Sequence, residues 1–209
     1  MSQSETMTVE HGHAHRDDVG AKMGMWLFLL TEVLLFGGMF LAYANYRFMH
    51  PQLFRLAALE LNTALGTLNT IVLLTSSLTV VLSIVAMKRN SRKLALFYLG
   101  TTLVLACVFL TIKYIEWSTK IHHGIYPGSE ELLSKTNGEI LFFGLYYVMT
   151  GLHALHVIIG MIILAFMFVF IYRGSITHDN YVKLENSGLY WHLVDLIWIF
   201  LFPLFYLIQ

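Results

Sequence analysis

Five long apolar runs constrain this chain more than any other feature. They cover approximately residues 23–45, 63–87, 94–117, 141–171 and 187–207, and polar connections separate them. About 20 helical residues cross the ~30 Å hydrocarbon core of a bilayer. Only helices or closed barrels satisfy their backbone in lipid, and continuous apolar runs without alternation argue against a barrel. The sequence therefore predicts an all-α integral membrane protein folded as a five-helix bundle.

Composition agrees with a membrane protein and narrows its chemistry. The 209 residues are 57% hydrophobic and only 12% charged, which no soluble domain of this size needs. Basic and acidic residues balance at 13 each, so nothing indicates a nucleic-acid partner. The single Cys107 excludes an internal disulfide and a CxxC-type site. Any redox cofactor would need histidine ligands or belong to another chain.

The polar tail, residues 1–22, lacks the basic-then-apolar order of a secretory signal peptide. We therefore expect the first apolar run to stay in the mature protein. The alternating histidines His11, His13 and His15 are a compositional hint of loose metal binding without fixed geometry, and we predict no functional metal there.

Basic residues in the connections predict the orientation, because Lys and Arg are retained on the cytoplasmic side. With a cytoplasmic N-terminus and an outer C-terminus, the inner side holds Arg16, Lys22, Lys88, Arg89, Arg92, Lys93, Arg173 and Lys183. The outer side then holds Arg47, Arg55, Lys113, Lys120 and Lys135. The long 118–139 connection would face outward, either as a solvated loop or as a partner contact.

Polar residues follow one stripe of the second predicted helix. A seven-residue repeat keeps them facing a left-handed neighbour, where small polar groups favour close helix contact. We interpret the stripe as a packing surface. Its two tracks are Asn62, Asn69, Ser76 and Ser83, and beside them Thr63, Thr70 and Ser77.

Charged residues within apolar spans are functional candidates by default. Glu32 lies ~14 Å inside the first span at 1.5 Å per residue, so its carboxyl should be neutral, paired or open to water. It either conducts protons or donates a hydrogen bond to a neighbouring helix. Lys113 and Glu116 are three residues apart and predict a mutual salt bridge near the membrane interface.

Histidines mark the last two helices. His153, His156 and Gly160 share one face of the fourth helix, and the glycine should let another backbone approach. On the fifth helix, Asp195 is placed to orient the His192 imidazole. His156, His192 and Asp195 could meet between helices.

A histidine pair could also ligate a b-type haem, but a single candidate pair argues against it. A transporter would show internal repeats and interrupted helices, which we do not find. The aromatic residues Tyr190, Trp191 and Trp198 fit either an interfacial belt or packing.

Five segments, in order, resemble successive helices of subunit III of haem-copper terminal oxidases, the cytochrome c oxidase subunit III family. They are "GMWLFLLTEVLLFGGMFLAY", "LNTALGTLNTIVLLTSSLTV", "FLTIKYIEW", "TGLHALHVIIGMIIL" and "YWHLVDLIWIFLF". The resemblance covers nearly everything after the tail.

The resemblance implies a subunit without haem or copper beside catalytic subunit I, which reduces oxygen to water and pumps protons. It implies that the chain supports proton uptake and stability of subunit I, with subunit II, a small subunit IV and bound phospholipid as further partners. Glu32 takes the position of the family's buried carboxylate. Structural or lipid-contacting positions, none of them catalytic, are Lys113, Glu116, His153, His156, His192 and Asp195.

Longer family members have seven helices, and the two missing here put their complete lipid-filled cleft in doubt. The five-helix form is similar to bacterial members, which implies a bacterial plasma membrane. Ubiquinol oxidases and nitric-oxide-reductase-associated homologues share the pattern, so the resemblance leaves the electron donor open.

Overall fold

The computed structural model describes residues 18–178 and 180–208. The histidines of the tail, His11, His13 and His15, lie outside the described residues. The described segments form seven helices: α1 (Asp18–Met49), α2 (Pro51–Leu59), α3 (Thr63–Lys88), α4 (Arg92–His122), α5 (Glu130–Leu133), α6 (Asn137–Arg173) and α7 (Val182–Tyr206).

Five of these helices, α1, α3, α4, α6 and α7, are long and apolar enough to cross a membrane. The predicted all-α, five-span fold is confirmed. Four of the five begin or end clearly beyond the predicted apolar run; α1 already starts at Asp18 and α4 continues to His122. An apolar run measures only the lipid-embedded length, whereas a helix continues into its polar flanks.

Local signals explain where the helices begin and end. The Asn62 side chain accepts hydrogen bonds from the backbone N–H groups of Ala64 and Leu65, so this first residue of the polar stripe is the N-cap of α3. Thr136 and Glu139 form a reciprocal capping box at the start of α6. Gly174, with φ of 80°, ends that helix in the left-handed conformation.

Salt bridges show which helix ends lie together. Lys22 and Lys88 both bind the Glu185 carboxylate, at 3.1 and 2.6 Å. The starts of α1 and α7 and the end of α3 therefore lie at one end of the bundle, which we call the Lys22 end. Successive long helices alternate in direction, as the sequence predicts.

The 118–139 connection at the opposite end is more ordered than a solvated loop. It contains α5, whose Leu132 is buried, and Lys135 binds Glu60 at the end of α2. Tyr147 of α6 donates a hydrogen bond to the Ile125 carbonyl at 2.6 Å. This connection and α2 together cap the bundle.

Gly160 permits a close approach, but by a side chain and not by a backbone. A Cβ at this position would lie 2.8 Å from Cε3 of Trp191 and 3.2 Å from Cε1 of Tyr190. The expected backbone approach at this glycine is wrong. The ring atoms of Trp191 and Tyr190 of α7 fill the space instead.

We expect Gly160→Ala to destabilise the bundle by about 1–3 kcal/mol, because the buried Trp191 ring must shift to admit the methyl group. The matched control is Gly144→Ala on the same helix, where a Cβ would meet nothing within 4 Å. Thermal unfolding of the detergent-solubilised protein measures both. Equal unfolding temperatures for the two variants would contradict the packing argument.

Candidate functional site

Glu32 and His156 form a polar pair between α1 and α6. Nε2 of His156 lies 2.8 Å from Oε2 of Glu32, and both side chains are largely shielded. Nδ1 of His156 lies 2.8 Å from the Leu152 carbonyl oxygen. A carbonyl oxygen only accepts, so Nδ1 carries a proton and donates. Nε2 then either accepts a proton from a neutral Glu32 or, as imidazolium, donates to its carboxylate.

This pair can hold one proton between the two groups in either arrangement. The ring of Phe36 packs edge-on against the imidazole, with centroids 5.3 Å apart. Tyr190 of α7 donates to the His156 carbonyl at 3.3 Å. Apolar surroundings strengthen such a hydrogen bond and make an unpaired partner costly. Of the two roles predicted for Glu32, the hydrogen bond to a neighbouring helix is observed, and proton conduction stays a prediction.

Lys113 and Glu116 form the predicted salt bridge, at 2.9 Å. The pair lies in the bundle interior, because both side chains are at most 5% exposed. Tyr206 and Tyr146 donate to Oε1 of Glu116 at 2.6 and 2.9 Å, and Lys113 donates to the Tyr206 hydroxyl at 2.8 Å. The tyrosines satisfy oxygens that a bare ion pair would leave unbonded. Three helices, α4, α6 and α7, are joined here.

His192, Asp195 and His156 do not form the contact considered from the sequence. Nδ1 of His192 lies 2.7 Å from the Ser77 hydroxyl of α3, while His156 binds Glu32. Neither carboxyl oxygen of Asp195 has a hydrogen-bond partner within the described residues. Helical spacing places His192 and Asp195 near each other on α7, but the rotation of α7 directs the imidazole toward α3.

His153 is fully buried, and neither ring nitrogen has a hydrogen-bond partner in the described part of the chain. Its ring packs against Trp198 of α7 and Phe109 of α4, with centroids 5.2 and 5.7 Å apart. Its spacing from His156 indicated one helix face, whereas the two imidazoles have different neighbours. His153 packs between α4 and α7, whereas His156 contacts α1.

The polar stripe of α3 is an interhelical hydrogen-bonding surface. Trp191 and Trp198 of α7 donate to the Ser76 and Thr70 hydroxyls at 3.1 and 3.0 Å. Ser83 donates to the Ala95 carbonyl of α4 at 2.9 Å. Both indoles are fully buried, so packing is their role and an interfacial belt is excluded for them.

Sequence reasoning missed Tyr146 and Tyr206 as partners of the buried ion pair. Their position within apolar helices could have indicated this role, because a buried tyrosine hydroxyl needs a hydrogen-bond partner. Within residues 18–178 and 180–208, no group of three or more His, Cys, Asp and Glu side chains is arranged to hold a metal ion.

Comparison with known proteins bears on this arrangement. The family model for cytochrome c oxidase subunit III matches residues 1–209. The chain belongs to the cytochrome c oxidase subunit III family.

Curated relatives agree with this family. A cytochrome c oxidase subunit 3 of Thermostichus vulcanus is 33% identical over 208 residues, covering 99% of this chain and 96% of the relative. A haem-copper oxidase subunit I+III of Aeropyrum pernix is 32% identical over 206 residues; the match covers 96% of this chain but 24% of that longer protein. A cytochrome bo(3) ubiquinol oxidase subunit 3 of Pseudomonas aeruginosa is 27% identical, covering 95% of this chain and 90% of the relative.

We expect Lys113→Met to destabilise the protein by about 3–5 kcal/mol, because it leaves the Glu116 carboxylate buried without a cation. The double variant Lys113→Met with Glu116→Leu should recover most of that loss. Lys135→Met, at the more exposed pair with Glu60, is the control and should cost about 0–1 kcal/mol. Chemical denaturation in detergent measures all three; a double variant as unstable as Lys113→Met would contradict the pairing argument.

We expect Glu32→Leu to destabilise the α1–α6 contact by about 1–3 kcal/mol, because Nε2 of His156 loses its partner. Glu32→Gln should retain most of the stability, since its amide can still donate to Nε2. Thermal unfolding of the detergent-solubilised variants measures the difference. Identical behaviour of Gln and Leu at this position would show that the hydrogen bond contributes nothing.

Proposed function

We propose that this chain is the subunit III of a proton-pumping haem-copper terminal oxidase, bound beside the catalytic subunit I. Subunit I reduces oxygen to water, and this chain supports its stability and proton uptake without a catalytic centre of its own. The match of the family model to residues 1–209 carries the proposal. A membrane location follows from the five long apolar helices.

The contacts of His156 argue against this histidine as a haem ligand. A di-histidine haem needs one free ring nitrogen from each ligand. His156 uses Nδ1 on the Leu152 carbonyl and Nε2 on Glu32, so neither nitrogen remains for iron. We place haem and copper in the partner subunits because the chain matches the family model for subunit III over its whole length.

The surface of α1 supports contacts with lipid or another subunit. Large apolar side chains are exposed along it, including Trp26, Leu27, Leu34 and Leu41. An apolar groove of about 180 Å³ separates α1 from α7 and is lined by Phe36, Phe40 and Phe200 among others. We propose that bound phospholipid and subunit I cover this side of the bundle in a bacterial plasma membrane, with the N-terminus cytoplasmic.

Glu32 is the residue of this side that we connect with proton uptake. Its carboxyl is partly accessible, with a side-chain exposure of 14%, and shares a proton with His156. A group that holds a proton near the covered side of α1 can influence the proton environment of a neighbouring subunit. We give structural roles to the other polar residues, which lie further inside the bundle or contact other side chains. They are Lys113, Glu116, His153, His192 and Asp195.

The partner subunits, and not this chain, determine which electron donor the complex uses. Named relatives include both a cytochrome c oxidase subunit 3 and a cytochrome bo(3) ubiquinol oxidase subunit 3, so this chain is compatible with either branch. Subunit II, which would determine whether cytochrome c or a quinol is the donor, and a small subunit IV are the further partners that we propose. A nitric-oxide-reductase-associated role is the alternative, and no observation on the bundle favours it.

Gentle purification through a tag on this chain tests the assembly. We expect subunit I to co-purify with haem, and the tagged chain alone to show no haem absorption and no bound copper. Mass spectrometry of the complex identifies the second subunit and thereby the donor. Stoichiometric haem on the separated chain, or recovery without any oxidase subunit, would overturn the proposal.

The assembled oxidase tests the role of Glu32. We expect Glu32→Ala to leave subunit I bound but to lower proton uptake or shorten the active lifetime during turnover. The control is Val104→Ala, an exposed residue of α4 away from the α1 surface. Proton pumping and lifetime equal to wild type in Glu32→Ala would leave the residue with a packing role alone.

A further inference from the structure

A partly open cavity lies at the Lys22 end of the bundle, between α1, α3 and α7. Its volume is about 350 Å³. Its walls are largely apolar, with Trp26, Ile84 and Leu189, and they also carry the polar side chains Lys22, Glu185, Asn186 and His192. These polar groups offer water hydrogen-bond partners in a space large enough to hold it.

The inner wall of this cavity leads into the bundle through hydrogen-bonding groups. His192 lines the cavity and its Nδ1 lies 2.7 Å from the Ser77 hydroxyl. The Asp195 carboxyl belongs to the next turn of α7 after His192. Asp195 is 3% exposed, and neither of its oxygens has a hydrogen-bond partner within the described residues.

Beyond Asp195 the route is closed by aromatic packing. Trp198, one turn further along α7, is fully buried and bonded to Thr70. His153 packs against it. Side chains that can exchange protons therefore follow α7 from the Lys22 end as far as Asp195. They do not continue past Trp198 toward the opposite end of the bundle.

An ionised carboxylate enclosed in this way without a bonded cation would cost several kcal/mol, so the neutral acid is the form that fits the site. A neutral acid without a hydrogen-bond acceptor for its proton is itself unsatisfied, and a water molecule supplies one. We propose that the cavity is a water-filled inlet through which the Asp195 carboxyl, by way of Ser77 and His192, exchanges its proton with the aqueous phase at the Lys22 end. The inlet does not depend on the identity of the electron donor or on the role of Glu32.

Infrared spectroscopy of the intact complex, transferred into D2O, tests the inlet. Asp195 should contribute a carbonyl stretch of a protonated carboxyl group, identified by its loss in Asp195→Asn. In D2O one deuteron replaces one proton, so the band shifts while the charge stays constant. We expect Leu189→Trp, which fills the cavity, to slow this shift severalfold. Leu74→Trp, an equal enlargement on the exposed side of α3, should leave the rate unchanged.

Either of two results overturns the proposal: no protonated band that depends on Asp195, or an exchange rate that Leu189→Trp leaves at the wild-type value. Should Asp195→Asn fail to assemble, thiol labelling provides a second measurement. In a Cys107→Ser background, Ser77→Cys should react with a small water-soluble methanethiosulfonate, whereas Leu74→Cys on the exposed apolar face of the same helix should not. An unreactive Ser77→Cys would equally refute the inlet.

Discussion

Polar side chains inside an apolar bundle must find partners on other helices or on their own backbone, and this requirement fixes how the helices of this protein meet. The Thr79 and Thr102 hydroxyls bond at 2.8 Å and Ser83 bonds the Ala95 carbonyl, which sets the register of α3 against α4. The Trp191 indole bonds Ser76 and sets α7 against α3. Apolar contacts with lipid and with protein are nearly equivalent, so these directional bonds discriminate between packings that dispersion alone would leave close in energy.

Steric fit acts together with these bonds. A Cβ at Gly66 would lie 2.9 Å from Phe202 and Tyr206, and one at Gly188 would lie 2.8 Å from Ile84. The glycines of α3 and α7 thus admit large side chains of the opposite helix. Tyr206 then reaches Glu116 and places its hydroxyl on the buried ion pair. Small residues decide where aromatic residues fit, and the aromatic hydroxyls and indoles complete the polar network.

The sequence predicted the helices, the Lys113–Glu116 pair and the packing role of the α3 stripe, because each depends on spacing within one helix. It did not predict that His156 binds Glu32 or that His192 binds Ser77. Those contacts depend on the rotation and neighbour of each helix, which periodicity does not encode. The short helices α2 and α5 were also missed, since neither is an apolar run long enough to cross a membrane.

The buried polar groups of the bundle are of two kinds. Glu32 with His156, and Lys113 with Glu116 and two tyrosines, are closed sets in which protein atoms meet one another's requirements. Asp195, Asn69 and His153 are equally buried but lack such partners within the described residues. His153 packs against the Trp198 ring, and Asp195 lies one turn before Trp198 on α7. Each unpartnered buried group costs about 1–3 kcal/mol, which the closed sets and the surrounding packing must offset. The closed sets hold the helices in place, whereas Asp195, at the end of the proposed inlet, is the unpartnered group that can exchange its proton.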